Sequence, residues 1–122
     1  MTKSRIGFCK VKISPPLGTP LAGYEYERYA EKVHDDLFAR VIVMDHQDSI
    51  IVLIQLDLIG IDYHFMDALN NRLEKEVNIK RDKIFVSCTH THSGPGGVID
   101  TGQSYNKMLK HSFSSLDEML LE

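Results

Sequence analysis

Runs of apolar residues predict four β-strands in the chain. Residues 5–14 alternate imperfectly between apolar and polar side chains, as in a half-buried strand. Residues 38–45 indicate a second strand, and residues 50–59, which are apolar on both faces, indicate a central one. The short polar turn at 46–49 predicts that these two strands form an antiparallel hairpin. A fourth strand is expected over residues 83–90.

Apolar positions that recur every three or four residues predict two helices. The first covers residues 62–77, with Asp62 placed to cap its start and Asn78 to end it. Its apolar stripe consists of Phe65, Met66, Leu69, Leu73 and Val77. Its polar face is expected to contain Asn70, Asn71, Glu74 and Lys75. The second helix covers residues 105–121 and is expected to cover the sheet or to meet a partner; its apolar positions include Met108, Leu109, Phe113, Leu116, Met119 and Leu120.

The order of these elements predicts an α/β fold. A strand, a helix and a further strand of these lengths imply a right-handed parallel crossover. With the hairpin, this gives a mixed, mostly central-parallel β-sheet with flanking helices, in a single domain over residues 1–122. The connection formed by residues 15–36 is long, rich in Gly, Pro and Tyr, and too apolar for a disordered linker. It is therefore expected to pack over the rest of the fold.

Composition excludes several classes of partner. The formal net charge is −3 and the basic residues are scattered, so no positive stripe is available for nucleic acid. The longest apolar run, residues 50–56, is too short to span a bilayer, and no apolar stretch follows the basic N-terminus, so neither a transmembrane segment nor a signal peptide is expected. Cys9 and Cys88 are expected to be buried free thiols of a cytoplasmic protein.

The sequence His90-Thr91-His92, at the end of the fourth predicted strand, is the strongest candidate for chemistry. Side chains two residues apart in an extended chain point to the same side, so both imidazoles are expected to project together. Neutral imidazoles bind zinc and similar metals. The Ser-Gly-Pro-Gly-Gly turn that follows would admit a ligand close to the backbone. The alternative is that one histidine caps the strand end and the other is solvated.

The predicted topology brings further polar residues to the same edge of the sheet. Asp57 lies near the end of the third strand, and His34, Asp35 and Asp36 stand just before the second strand begins. These groups could orient histidine ligands of a metal, and the three carboxylates could instead hold Mg²⁺ or Ca²⁺. The alternatives are a helix-capping Asp57, a His34 bonded to backbone, and solvated turn positions for Asp35 and Asp36. Arg40 is expected to pair with Asp36 or Asp57.

Four sequence blocks occur in order: I-S-P-P-L-G-T-P-L-A-G-Y (13–24), V-H-D-D-L-F-A-R (33–40), L-D-L-I-G (56–60) and T-H-T-H-S-G-P-G-G (89–97). Together they resemble the N-terminal part of the neutral/alkaline, non-lysosomal ceramidase family, over the chain up to about residue 101. The resemblance implies a partial version of the larger ceramidase N-terminal domain. It also implies a zinc amidase that hydrolyses the N-acyl bond of ceramide, or of a related lipid amide, with a zinc-bound water as the nucleophile.

The resemblance implies that His90 is a zinc ligand and that His92 lies beside the metal, in contact with the substrate or the developing oxyanion. His34 and Asp57 complete the candidate catalytic residues. Family members are several times longer, and their second histidine ligand, their glutamate and tyrosine ligands and their active-site serine lie downstream of the matched region. Two imidazoles do not supply the three protein ligands of a catalytic zinc.

Two hypotheses follow for this chain. The first is a ceramidase-like amidohydrolase whose Zn²⁺ site is completed by further residues or by a companion chain. The second is a truncated, non-catalytic domain that retains part of the metal site and forms homo-oligomers through exposed sheet edges and apolar surface.

Overall fold

The computed structural model describes residues 3–95, which form a four-stranded sheet with one helix packed on it. The elements are β1 (Ser4–Lys12), β2 (Phe38–His46), β3 (Ser49–Leu56), α1 (Tyr63–Val77), a 3-10 turn (Arg81–Lys83) and β4 (Ile84–Cys88). The strand order is β1-β2-β3-β4. The helix predicted over 105–121 and the last glycines of the turn after His92 lie outside the described residues.

The sheet is mixed and mostly antiparallel. β1 pairs antiparallel with β2, and β2 with β3, while β3 and β4 pair parallel. The predicted hairpin and the predicted parallel pair are therefore confirmed, but the expectation of a mostly central-parallel sheet is wrong. The reason is that the connection after β1 reverses the direction of the chain, so that β2 runs antiparallel beside β1. Only the α1 connection joins two parallel strands.

Local sequence signals set the ends of these elements. Gln47 and Asp48 adopt φ values of 48° and 63°, which suit the tight turn between β2 and β3. The Phe65 N–H donates to the Asp62 carboxylate (2.9 Å) and caps α1 as predicted. Asn78 ends α1 in the left-handed conformation, with φ of 55°. Within residues 3–95, no helix is long and apolar enough to cross a membrane.

The core lies between α1 and one face of the sheet. Its buried side chains come mainly from β3, with contributions from α1 and β4; they are Val52, Ile54, Leu56, Phe65 and Ile84, together with Ile13 and Leu58 from the connections. Asn70 is also buried, so its predicted place on the polar face of α1 is wrong. It follows Met66, a member of the apolar stripe, by one helical turn, and so lies on the inward side of α1.

Both cysteines are free, as predicted, but they differ in burial. Cys88 is half-buried, and burial raises the pKa of its thiol. Cys9 is exposed, so its predicted burial is wrong, because β1 is an edge strand that is exposed along its whole length.

Candidate functional site

The candidate site lies at the edge of the sheet where β3 and β4 end. Beyond the strands, the Thr89 N–H donates to the Leu56 carbonyl (2.9 Å) and the His90 N–H donates to the Leu58 carbonyl (3.0 Å). At His90 the backbone φ is 63°, a left-handed conformation that few non-glycine residues adopt. The fourth strand therefore ends at Cys88, before its predicted end, because the chain is no longer extended at His90.

The two imidazoles lie together at this edge. The ring centroids of His90 and His92 are 5.2 Å apart, with the rings nearly perpendicular, and both side chains are exposed. Strand alternation does not explain this proximity, because His90 lies in a bend. A turn or a cap accounts for each of the other non-glycine residues with positive φ in the described part of the chain: Gln47, Asp48 and Asn78. Such conformations cluster at functional sites, which favours a functional role for His90.

Each imidazole is oriented by a hydrogen bond to a backbone carbonyl. Nδ1 of His90 lies 2.7 Å from the Ile59 oxygen, and Nδ1 of His92 lies 3.2 Å from the Gly23 oxygen. Because a carbonyl oxygen can only accept, each Nδ1 carries the hydrogen, and the lone pair of the neutral ring is then on Nε2. Metal-binding histidines are commonly fixed by a hydrogen bond of this kind.

Gly23 allows the loop before β2 to approach His92 closely. Its φ of +82° is one that side chains rarely tolerate. A Cβ atom at this position would lie 2.4 Å from Nδ1 of His92 and 2.7 Å from Cδ1 of Ile59. Any other residue at position 23 would therefore displace either the imidazole or the loop.

The connection over residues 15–36 is anchored on the turn that follows His92. The Ala22 N–H donates to the Gly94 carbonyl (3.1 Å), and Leu21 forms an antiparallel bridge with Pro95. The prediction that this connection packs over the fold is thus confirmed, and it does so beside the candidate site, whose two imidazoles stay exposed.

Tyr24 borders the His92 ring. Its ring meets the imidazole edge-on, with centroids 5.9 Å apart, and the Arg28 guanidinium lies 4.9 Å from the Tyr24 ring centroid. Neither Gly23 nor Tyr24 was predicted from the sequence to belong to the site. The signal available was the Ala-Gly-Tyr sequence at 22–24, where a glycine next to a tyrosine lies in a long, apolar connection. The role of the Ile59 carbonyl left no signal in the sequence.

Asp57 follows β3 directly, and both of its carboxylate oxygens accept hydrogen bonds. Arg40 Nη1 donates to both oxygens (2.9 and 3.0 Å), and the Phe38 N–H donates to Oδ2 (2.9 Å). Burial raises the pKa of Asp57, but the Arg40 and Phe38 hydrogen bonds, the Arg40 charge and a Thr89 hydrogen bond outweigh it, so the net pKa is lowered. The predicted pairing of Arg40 with a carboxylate is confirmed. Asp57 connects the start of β2 to the residue that precedes His90.

The three polar residues before β2 have different surroundings. His34 Nδ1 and Asp35 Oδ2 are 2.8 Å apart, and both side chains are 89% exposed. Asp36 accepts a hydrogen bond from the Ser14 hydroxyl (2.8 Å) and pairs with Lys12 (3.0 Å). The Ser14 hydrogen bond and then Lys12 lower the pKa of Asp36. Asp36 therefore fastens the end of the loop to the end of β1.

A cleft extends from the His34 region to the residues on either side of His92, but neither His90 nor His92 lines it. It has a volume of about 630 Å³, and the residues that line it include Tyr24, His34, Thr91 and Ser93. Thr91 and Ser93 flank His92 in the chain, and Tyr24 borders its ring. His34 thus shares a cleft with Thr91 and Ser93, the neighbours of His92, and not with the two imidazoles themselves.

Zinc fits these residues in donor type but not in ligand number. Two imidazoles with Nδ1 hydrogen-bonded to backbone and Nε2 available suit zinc. Over residues 3–95, no group of three or more His, Cys, Asp or Glu side chains is close enough to hold a metal. The structure therefore does not bring His34 or Asp57 into a metal-binding group with His90, and it does not assemble Asp35, Asp36 and Asp57 into a Mg²⁺ or Ca²⁺ site.

Comparison with known proteins finds a matching sequence family and solved structures with a similar fold. The N-terminal region of neutral/alkaline non-lysosomal ceramidases, as a sequence family, matches residues 5–116. No curated protein sequence matches significantly. The neutral ceramidase from Pseudomonas aeruginosa has a similar structure, with a TM-score of 0.71 and 23% identity over 96% of this chain and 21% of that one. A ceramidase complexed with C2 gives a TM-score of 0.74 and 22% identity, over 95% of this chain and 20% of that one. The chain thus spans about a fifth of either solved protein.

Proposed function

The chain belongs to the neutral/alkaline, non-lysosomal ceramidase family, and on that premise we propose that it contributes part of the active site of a zinc-dependent amidohydrolase. The reaction is hydrolysis of the N-acyl bond of ceramide or a related lipid amide. Residues 1–122 belong, in this proposal, to one ceramidase-like N-terminal domain. The family match and the ceramidase-like fold support the reaction class.

The observation that carries the proposal is the pair of oriented imidazoles. His90 and His92 lie 5.2 Å apart between ring centroids, and each donates its Nδ1 hydrogen to a fixed carbonyl. Both Nε2 atoms are left with a lone pair at an exposed edge of the sheet. A structural histidine that only capped the strand would not require a second imidazole beside it with its Nδ1 fixed in the same way.

The proposal assigns a different role to each histidine. His90 would hold Zn²⁺ through Nε2, while the Ile59 carbonyl fixes its ring. His92 would lie beside the metal and contact the substrate; to stabilise negative charge on the carbonyl oxygen it would need a second hydrogen, on Nε2, because a lone pair there repels that charge. Zinc, when bound, supplies the Lewis acidity that activates water and polarises the amide carbonyl.

His34 and Asp57 are the other candidate catalytic residues. His34 lines a cleft with Thr91 and Ser93, the residues on either side of His92, and is exposed, so it would contact the polar part of the lipid amide. Asp57 has no free carboxylate oxygen, since Arg40 and Phe38 occupy both. We infer that Asp57 acts on the reaction indirectly, by positioning Thr89 and thereby His90.

The small number of zinc ligands in the described residues favours a second function. A catalytic zinc has three protein ligands, and the described residues offer two imidazoles. The alternative is therefore a truncated domain without turnover, which retains part of the metal site and associates with itself or with a companion chain. This chain would then bind zinc weakly.

Zinc content and hydrolysis, measured together, test both proposals. The purified chain is dialysed against buffered zinc, its metal content is determined by mass spectrometry, and fatty-acid release from a fluorescent ceramide is followed. His90→Ala is expected to weaken zinc binding at least about 10-fold. His46→Ala is the matched control, because His46 is also exposed but ends β2 at the opposite edge of the sheet, where it pairs with Ser49.

The outcomes separate the two functions. Zinc at one per chain, with hydrolysis that His90→Ala abolishes and His46→Ala preserves, supports the enzyme. Weak zinc binding that depends on His90, without hydrolysis, supports the non-catalytic domain. Zinc binding that is equal in wild type and His90→Ala contradicts the metal role of His90 in either case.

A further inference from the structure

One face of the sheet carries a continuous apolar surface that α1 does not cover. Register partners across all four strands form one apolar row: Phe8, Ile42, Leu53 and Phe85. A second row lies two residues from the first on β1, β2 and β3, towards the turn between β2 and β3. It consists of Ile6, Met44 and Ile51. Directly paired residues point to the same side of a sheet, so the seven side chains form one surface, here called the open face.

The open face is strongly exposed and has a polar boundary. Phe8 is 77% exposed, Ile6 60% and Phe85 56%. The next row towards the candidate site is polar and contains Lys10, Arg40, Gln55 and Ser87. The row at the hairpin end is also polar and contains Ser4, His46 and Ser49. A compact apolar patch rimmed by polar residues is typical of a contact surface.

We propose that residues 105–121 of the same chain form an amphipathic helix that covers the open face. At about 100° per residue, seven of the eight apolar side chains of this segment fall within an arc of about 140°; they are Tyr105, Met108, Leu109, Phe113, Leu116, Met119 and Leu120. The rest of the circumference contains the last residue, Leu121, and is otherwise polar, with Lys107, Lys110, His111, Asp117 and Glu118. Such a stripe needs one apolar surface to bury it.

The lengths of the segments suit this arrangement. The described chain reaches Pro95, which bridges to Leu21 at the candidate-site edge of the sheet. The connection over 96–104 spans at most about 30 Å when extended. A helix over 105–121 is about 25 Å long, comparable to the strands that it would cover.

Covalent linkage favours this occupant over a second copy of the chain. The apolar stripe and the open face lie in one polypeptide, joined by a short connection, so their effective concentration is in the millimolar range. The core face of the sheet is already occupied by α1. The inference does not depend on the proposed chemistry at His90 and His92.

A single introduced indole can report whether the open face is covered. The chain contains no tryptophan, so Phe85→Trp places one indole on the open face of the 122-residue chain. Tyr63→Trp is the control, because Tyr63 lies on α1 and is 68% exposed. The expected result is a blue-shifted emission and several-fold weaker acrylamide quenching for Phe85→Trp than for Tyr63→Trp, independent of protein concentration.

Paired substitutions then identify the occupant. Phe113→Ser with Leu116→Ser, added to Phe85→Trp, should make the indole accessible, whereas Lys107→Ser with Glu118→Ser on the polar side should leave it shielded. Far-ultraviolet circular dichroism and the urea midpoint of each variant report whether the fold is kept. An indole that is equally accessible in every variant overturns the proposal, and so does shielding that disappears on dilution, which would identify a second copy as the occupant.

Discussion

Gly23 and His92 illustrate how one residue can determine the geometry of another. The Gly23 carbonyl accepts a hydrogen bond from His92, and its missing side chain leaves the space that the imidazole fills. Gly18 lies in the same loop with nearly the same backbone conformation, φ of +85°, but a Cβ atom at that position would meet nothing within 4 Å. A comparison of substitutions at the two glycines therefore separates the cost of backbone strain from the cost of a clash at the site.

Gly23→Ala is expected to cost more than Gly18→Ala. Both substitutions place a side chain at positive φ, which costs about 1 kcal/mol. Gly23→Ala also forces a clash with His92, which adds about 1–3 kcal/mol to the loss in free energy of unfolding. Urea denaturation measures the difference. Equal losses for the two variants would show that the loop moves away from His92 without cost.

Asn70 is a residue whose burial the sequence did not predict. It is 4% exposed on α1, and its Oδ1 atom has no hydrogen-bond partner among residues 3–95. A buried acceptor without a partner costs roughly 1–3 kcal/mol. Asn70→Leu has a similar volume and removes this cost.

Asn70→Leu is therefore expected to raise the free energy of unfolding by about 1 kcal/mol. Asn71→Leu is the control, since Asn71 is exposed on the same helix and should change stability little. The urea midpoint of each variant provides the measurement. A loss of stability in Asn70→Leu would indicate that the amide has a partner outside the described residues.

Among the elements, β2 and the segment after β3 are held together at the site by Asp57 and Arg40. The Asp57 side chain is 13% exposed, whereas that of Arg40 is 42% exposed, so solvent partly screens the pair. The Phe38 N–H adds a bond to the first residue of β2. These contacts fix the segment from which the Ile59 carbonyl reaches His90.

The lowered pKa of Asp57 makes this contribution dependent on pH. The folded state binds the proton more weakly than the unfolded chain, so the stabilisation is complete above the unfolded value of about 3.9 and is lost as pH falls through the folded value. Asp57→Asn should lower the free energy of unfolding by about 1–3 kcal/mol at pH 7.

The difference between wild type and Asp57→Asn should shrink as the pH falls below 4, where wild type loses the same charge. Asp35→Asn is the control, because Asp35 is 89% exposed. Urea denaturation at several pH values measures both variants. A deficit in Asp57→Asn that is constant down to the lowest pH would contradict the charged pairing.

Elements with a local signal could be predicted from the sequence, and their arrangement could not. The hairpin, the α1 caps at Asp62 and Asn78 and the parallel β3–β4 pair follow from turn residues, capping residues and periodicity. The place of β1 does not, because it depends on where residues 13–37 return the chain.

The candidate site, too, could be predicted only in part from the sequence. The proximity of His90 and His92 was predicted, but the reason given, an extended strand through His90, was wrong, because strand pairing says nothing about a left-handed bend at one residue. The contacts of Gly23 and Tyr24 with His92 join positions distant in sequence, which no local pattern reports.

For the whole molecule, two surfaces of the described residues are suited to further contacts: the edge with the histidine pair, and the open face of the sheet. The chain spans about a fifth of the solved ceramidases that it resembles, so a complete zinc site would draw on residues beyond those described. The central claim for this chain is more limited, namely that His90 presents a metal-binding Nε2.

Nitrogen-15 NMR of the imidazoles during zinc titration tests that claim. The chain has six histidines, and long-range proton–nitrogen correlations distinguish the Nδ1–H tautomer from the Nε2–H tautomer in each ring. The account predicts that His90 keeps its hydrogen on Nδ1 without metal, and that its Nε2 resonance shifts on zinc addition. A His90 ring that carries its hydrogen on Nε2, or that does not respond to zinc while another histidine does, would contradict it.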